Sequence, residues 1–210
     1  MPVVSLLQTL DAWDKGLFLF LNGSLENAFF DLLMPFITEK WNFIVPLALV
    51  FLYLFLKGGR PLRILLLLSL VLLLLADGSA TLLKNLFQRA RPCQVLDQVR
   101  ILVGCSSSFA LPSNHATNIF AIASFFAYAD RRLLVPLFVL AFLVGYSRIY
   151  VGVHYPLDVL GGAVLGIALG LFISALGRRI ILRWDTGGEV YPFRRYPILR
   201  WGSKAPDREK

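Results

Sequence analysis

Histidine and cysteine are scarce in this chain, at two residues each, and charged residues make up only 16% of its 210 positions. Thirteen Asp and Glu in all leave few carboxylates from which to build an oxygen-ligand metal cage, and no cofactor is expected. The N-terminal stretch has no basic segment ahead of its apolar residues, and Asp11 and Asp14 follow soon after. It does not read as a cleaved signal peptide. No internal repeat breaks the chain, and no low-complexity tract appears beyond runs of leucine. Lys and Arg exceed Asp and Glu to give a net charge of +8, yet no stacking or groove-reading motif accompanies them. Nucleic acid is therefore not an expected partner.

What the chain has in abundance is apolar sequence, at 57% with a mean hydropathy of +0.69. Soluble domains lie nearer about 45–50% apolar. A run such as 63–76 would bury in a soluble core only if that core were very large, so the expected solvent is a lipid bilayer. Five segments are long enough to span it: Trp41–Leu56, Leu62–Phe87, Asn114–Ala129, Leu133–Tyr150 and Leu157–Leu182. Each has about 16 to 26 residues, or roughly 24–39 Å of helix. The expected class is an all-α integral membrane protein, a bundle of about five transmembrane helices.

Residues 1–38 are less regular. Leu17–Leu21 and Ala28–Ile37 are apolar, but Asn22, Gly23, Ser24, Glu26 and Asn27 separate them, and Asp31 and Pro35 interrupt the second piece. Two short helices at the membrane interface are expected here, with one crossing helix as the alternative. Residues 39–183 would form the transmembrane domain and 184–210 a basic tail. Lys57, Arg60 and Arg63 lie in the first loop between spans, Arg131 and Arg132 in the third. Arg178, Arg179, Arg183, Arg194 and Arg195 lie at the C-terminal end. These groups alternate onto one side, which should be cytoplasmic. Trp184, Tyr191 and Trp201 read as interfacial anchors.

The other side collects the residues that carry chemistry. Lys84, Arg91 and Pro92 end the second span, Pro112, Ser113, Asn114 and His115 open the third, and Ser147, Arg148, His154 and Asp158 lie between the fourth and the fifth. Both histidines of the chain are in this set. Three fixed cations suit a phosphate dianion, whose charge spreads over several oxygens in the transition state. Ser113 and the N–H groups that follow it form a helix N-terminus, a natural anion site. An imidazole can attack phosphorus directly. Asp158, four residues beyond His154, is placed to hold its other nitrogen, and a second histidine can protonate the leaving oxygen and then activate water.

The three motifs resemble those of the type 2 phosphatidic acid phosphatase superfamily: Lys-x6-Arg-Pro, then Pro-Ser-Gly-His, then Ser-Arg-x5-His-x3-Asp. The match runs from Lys84 to Asp158, and the layout of spans extends it to about residue 182. The resemblance implies that His154 is a nucleophile that becomes a phosphohistidine, Asp158 its orienting partner and His115 the general acid. Lys84, Arg91, Ser113, Asn114 and Arg148 would cradle the phosphate, and no metal would take part. One position departs from the pattern, Asn114 in place of glycine. Asn tolerates a left-handed backbone better than most residues, and its amide would sit near the phosphate.

Other polar residues have plainer readings. Arg89 and Arg100 read as anchors that snorkel to the interface. Asp77, on the helix face of Lys84, reads as a hydrogen-bonding partner within the bundle, with tuning of Lys84 as the alternative. The glycines at 161, 162, 166 and 170 read as close helix packing. Cys93 and Cys105 fall in the loop between the first two motifs, and a disulfide is expected there. Two buried free thiols, or a weak metal pair, are the alternatives.

The expected activity is hydrolysis of a lipid phosphate or diphosphate in the inner membrane, with the site facing the periplasm or exterior. Undecaprenyl diphosphate is the first candidate substrate. Phosphatidylglycerophosphate and lipid A phosphates are the rivals. A soluble vanadate-dependent haloperoxidase shares the motifs but not the leucine-rich spans. A lipid-phosphate binding or scrambling protein would have no use for a nucleophile.

Overall fold

Gly58 and Gly59 interrupt the first long apolar stretch, and Pro61 follows in the first turn of the next helix, where its missing N–H costs nothing. Breaks of this kind divide the chain into helices. The computed structural model describes residues 2–184. Their order is α1 (Pro2–Gly23), α2 (Ala28–Thr38), α3 (Trp41–Lys57), α4 (Arg60–Phe87), α5 (Pro92–Val95), α6 (Asn114–Ala129), a 3₁₀ turn (Arg131–Leu133), α7 (Leu134–Tyr150) and α8 (Pro156–Trp184). No strand occurs among the described residues. The expected tail, with Tyr191, Arg194, Arg195 and Trp201, lies outside them.

Helix α6 is the axis of the bundle, enclosed by α4, α7 and α8. Its buried residues are small or aromatic: Ala116, Thr117, Ala121, Ala123, Ser124 and Ala127 beside Phe120 and Phe125. The small ones meet the glycines of α8. A Cβ on Gly162 would come within 2.6 Å of the Ser113 carbonyl oxygen, and one on Gly166 or Gly170 would collide with the backbone of Thr117 or Ala121. This is the close packing by which helices associate where lipid supplies no hydrophobic drive. Ser124 satisfies its hydroxyl on the Phe120 carbonyl at 2.8 Å, as an apolar setting requires.

All five expected spans are helical. Three long stretches, Arg60–Val95, Arg131–Tyr150 and Pro156–Ile181, are apolar enough to cross a membrane unaided. Helix α3, with 17 residues, and α6, with 16, are shorter. Helix α6 is screened by its neighbours and needs no apolar surface all round. Helix α3 has no buried residue and exposes Leu47, Leu49 and Val50, a surface suited to lipid.

The N-terminal region differs in detail from the sequence expectation. Its first helix has 22 residues rather than a short piece over 17–21, and it meets α2 at a bend of 116°. Asn27 caps α2 by accepting from the Phe30 N–H at 2.9 Å. Asp14, Phe18 and Asn22 recur every four residues on α1 and are buried, which turns one stripe of the helix inward. Asn22 donates to the Tyr150 carbonyl at 2.8 Å, and its own oxygen accepts from the Arg100 N–H at 2.9 Å. The bent pair thus packs against the α7–α8 end of the bundle.

Candidate active site

Four helix ends meet at one end of the bundle: the C-termini of α4 and α7 and the N-termini of α6 and α8. Helix α4 stops at Gln88, which takes a left-handed backbone (φ 49°) and donates its N–H to the Lys84 carbonyl. One turn earlier, buried Lys84 donates from Nζ to the Phe109 carbonyl at 2.6 Å. Arg91 donates from Nε to the Ser108 carbonyl at 2.7 Å and from Nη2 to the Ser108 hydroxyl at 2.9 Å. Its Nη1 lies 3.1 Å from both the Val153 carbonyl and His154 Nε2. The Cys93 and Cys105 sulfurs are bonded at 2.04 Å, and Gln94 donates to the Ser106 carbonyl at 2.9 Å. Both links hold the loop that Lys84 and Arg91 grip.

Between α7 and α8 the chain folds back in a few residues. The N–H groups of Val153 and His154 both return to the Arg148 carbonyl. Gly152 makes this possible with φ 87°, and a Cβ there would meet the Arg100 carbonyl oxygen at 2.5 Å. This turn is what brings Arg148 and His154 together. The Arg148 guanidinium is anchored by the Thr38 hydroxyl of α2, and its Nε has no protein partner.

Asp158 stands in the first turn of α8. Its Oδ2 accepts from the Tyr155 N–H at 2.8 Å and lies 3.5 Å from His154 Nδ1. That is an approach rather than a hydrogen bond. Its Oδ1 accepts from Arg89 Nη1 at 2.9 Å. The sequence reading of Arg89 as a snorkelling anchor is therefore corrected, for Arg89 also reaches Asp14 at 2.6 Å and Asp11 at 3.2 Å. Arg100 is likewise no free anchor. It pairs with Asp31, and with Glu26 at 3.3 Å. The hydrogen bond that Arg100 donates to Asp31 holds its guanidinium above the ordinary arginine range.

At the start of α6, the Ser113 N–H donates to the Asp158 carbonyl at 2.9 Å. The Ser113 hydroxyl is buried without a protein partner. Among the described non-glycine residues only Gln88 has a positive φ, so Asn114 needs no left-handed backbone. Its amide does not point to the cations. It donates to Asp77 at 2.8 Å and lies 3.3 Å from the Thr81 hydroxyl. Asp77 is thus a hydrogen-bonding partner between α4 and α6.

His154 is buried. Burial first, and then the charges of Arg91, Arg148, Lys84 and His115, hold its imidazole well below the ordinary histidine range. It is neutral at pH 7. An arginine can only donate, so the short Arg91–His154 contact assigns the Nε2 lone pair to face Arg91 and the proton to Nδ1, facing Asp158. Lys84, Arg91, Arg148, His154 and Asp158 thus meet at one end of the bundle, where the charge of His115 also acts on His154, while the Asn114 amide turns away to Asp77. Arg89 and Asp14 escaped the sequence reading of the site. Their one visible signal was the four-residue recurrence of Asp14, Phe18 and Asn22.

A helical bundle with its cations and a neutral histidine at one end defines a membrane phosphatase. The PAP2 superfamily model matches residues 64–181, and the chain belongs to that superfamily. It is an integral membrane protein, a lipid phosphatase of PAP2 type. It is 35% identical over 150 residues to undecaprenyl-diphosphatase BcrC of Bacillus subtilis (strain 168), covering 69% of this chain and 74% of that one. It is 31% identical over 197 residues to a lipid A 4'-phosphatase of Bacteroides thetaiotaomicron, covering 88% and 86%. The crystal structure of the first transmembrane PAP2-type phosphatidylglycerolphosphate phosphatase from Bacillus subtilis superimposes with a TM-score of 0.66 at 26% identity, over 82% of this chain and 88% of that one.

Proposed function

We propose that the protein removes the terminal phosphate of undecaprenyl diphosphate through a phosphohistidine on His154. The observation that carries this reading is the convergence of uncompensated cations on a neutral imidazole, with Arg91 Nη1 3.1 Å from its Nε2. A phosphate oxygen that accepts from Arg91 frees the Nε2 lone pair for attack. The N–P bond forms as the bond from phosphorus to the leaving oxygen breaks, and His115 gives that oxygen its proton. Asp158 faces Nδ1–H and steadies the imidazolium that develops. Water then attacks phosphorus, His115 takes its proton, and inorganic phosphate leaves His154 free.

Lys84, Arg91, Arg148, the Ser113 hydroxyl and the backbone N–H of Asn114 hold the phosphate oxygens in this scheme. The Asn114 side chain, engaged by Asp77, is left out of it. No metal is required. The similarity to the Bacillus subtilis undecaprenyl-diphosphatase supports the substrate. A second reading, a lipid A phosphate, is supported by the longer match to the lipid A 4'-phosphatase. A site facing the periplasm or exterior, with a cytoplasmic C-terminus, is supported by Lys57, Arg60, Arg63, Arg131 and Arg132 at the opposite end of the bundle.

The test is phosphate release by purified protein in detergent from undecaprenyl diphosphate, lipid A and phosphatidylglycerophosphate. The diphosphate should have the highest kcat/KM. A higher value for lipid A would replace the first reading by the second, and release from none of the three would overturn both.

A further inference from the structure

The carboxylate that faces the nucleophile is itself held from behind. Asp158 Oδ1 is bound by Arg89 Nη1 at 2.9 Å, which fixes the rotation that leaves Oδ2 toward His154. Arg89 lies over the Tyr155 ring, its Cζ 4.1 Å from the ring centroid. Its Nη2 is bound at 2.6 Å by Asp14 of α1, which is only 4% exposed. The other Asp14 oxygen accepts from the Leu157 N–H, in the first turn of α8, at 2.9 Å. One carboxylate from the N-terminal helix therefore grips both the arginine and the helix on which Asp158 rides. Neither Asp14 nor Arg89 bonds to Lys84, Arg91, Arg148 or His154. A buried charge network spanning α1, the end of α4 and α8 costs desolvation, and gluing α1 to the bundle would not require it to end on Asp158.

We propose that Asp14 and Arg89 are positioning residues for the reaction: through Asp158 they set the orientation of His154 without contributing to phosphate binding. The proposal rests on the assignment of His154 as nucleophile. It makes α1 part of the catalytic apparatus, although α1 lies outside the three motifs.

Asp14→Asn separates the two duties of the residue, since an asparagine oxygen still accepts from the Leu157 N–H while the charge on Arg89 is lost. The expected result is a fall in kcat of about 10-fold or more, with KM and the inhibition constant of inorganic phosphate within about twofold. In an Asp158→Asn background the same change should cost less than about twofold, because the two act as one unit. Asp11→Asn should cost less than about threefold, since that carboxylate is half-exposed and 3.2 Å from Arg89. An unchanged kcat, a parallel rise in KM and the phosphate constant, a full loss in the Asp158→Asn background, or equal losses for Asp11 and Asp14 would each overturn the proposal. If Asp14→Asn does not fold, Arg89→Lys is read by the same kcat-against-KM rule, because lysine cannot bridge two carboxylates in a fork. His154→Ala run alongside keeps the two ideas apart. Retained turnover there sinks the nucleophile, whereas an inactive His154→Ala with a normal Asp14→Asn sinks the positioning role alone.

Discussion

Two sets of cations sit at the same end of this bundle and are held in opposite ways. Arg89 and Arg100 are met by carboxylates. Lys84, Arg91 and Arg148 are met by neutral oxygens: backbone carbonyls for the first two, with the Ser108 hydroxyl, and the Thr38 hydroxyl for the third. Among the described residues no carboxylate forms an ion pair with any of these three. A carbonyl fixes a cation in place without cancelling its charge, so the second set, which Asp158 reaches only from a distance, keeps charge available for an arriving anion. The first set has spent its charge inside the protein. The position of an arginine within a helix end thus says little about its work, and the identity of its acceptor says most.

Removing the group that the uncompensated set surrounds should have the largest effect. His154→Ala should lower kcat by about 10³-fold or more, measured as phosphate release from a lipid diphosphate by folded protein. A variant that keeps a tenth of wild-type turnover would refute the covalent route. Next comes Arg148→Lys, which preserves charge but loses the planar fork. It should lose about 10²-fold in kcat/KM, and near-normal activity would remove Arg148 from the cradle.

The same uncompensated field should be visible in a pH profile. Burial and the neighbouring cations lower the pKa of His154, so its imidazole, the proposed nucleophile, stays neutral as pH falls past the ordinary histidine value of about 6.5. The acid limb of kcat/KM should therefore lie below that value. A limb at or above it would mean that the cations do not act on His154 as described.

Stability effects sharpen the contrast further. Cys93 and Cys105, 12 positions apart, close a loop that ends just before Ser108 and Phe109, whose carbonyls hold Arg91 and Lys84. Cys93→Ser should cost roughly 3 kcal/mol in the chain-entropy picture, seen as a lower melting temperature in detergent, with a smaller loss of turnover. The smallest effect belongs to the compensated set. Arg100→Ala removes a partly exposed pair, so it should cost about 1 kcal/mol or less and leave kcat/KM within about twofold. A large loss of phosphate affinity there would erase the distinction between the sets.

Much of this was legible in the sequence, because the proposed phosphate site is written in local spacings. Lys84 and Arg91, Ser113 and His115, and Arg148, His154 and Asp158 each sit within one helix end or turn; that Gly152 makes the last turn emerged only from the structure. Helix α6 was legible as an apolar segment over Asn114–Ala129, but not that its alanines and hydroxyls answer to α8 rather than to lipid. What stayed hidden depends on partners far apart in the chain. Arg89 reaches Asp14 from 75 positions away, and Asn114 turns to Asp77 across 37. Single-chain periodicity shows that Asp14, Phe18 and Asn22 share a face. It does not show that the face meets the first turn of α8.

The shortness of α6 has a consequence for the host membrane. Sixteen residues rise about 24 Å, some 6 Å less than a hydrocarbon layer of about 30 Å. One end of this helix must sink below the boundary of the acyl region, and backbone outside a helix is tolerated at that depth only under protein cover. The end that begins with Ser113 has such cover, from the loop pinned by Lys84, Arg91, Gln94 and the Cys93–Cys105 bridge. The proposed site at that end would then lie below the headgroup level, and turnover would depend on bilayer thickness, which phosphate release in bilayers of different acyl length would measure. Thinner hosts lessen the mismatch, and thicker ones deepen the descent.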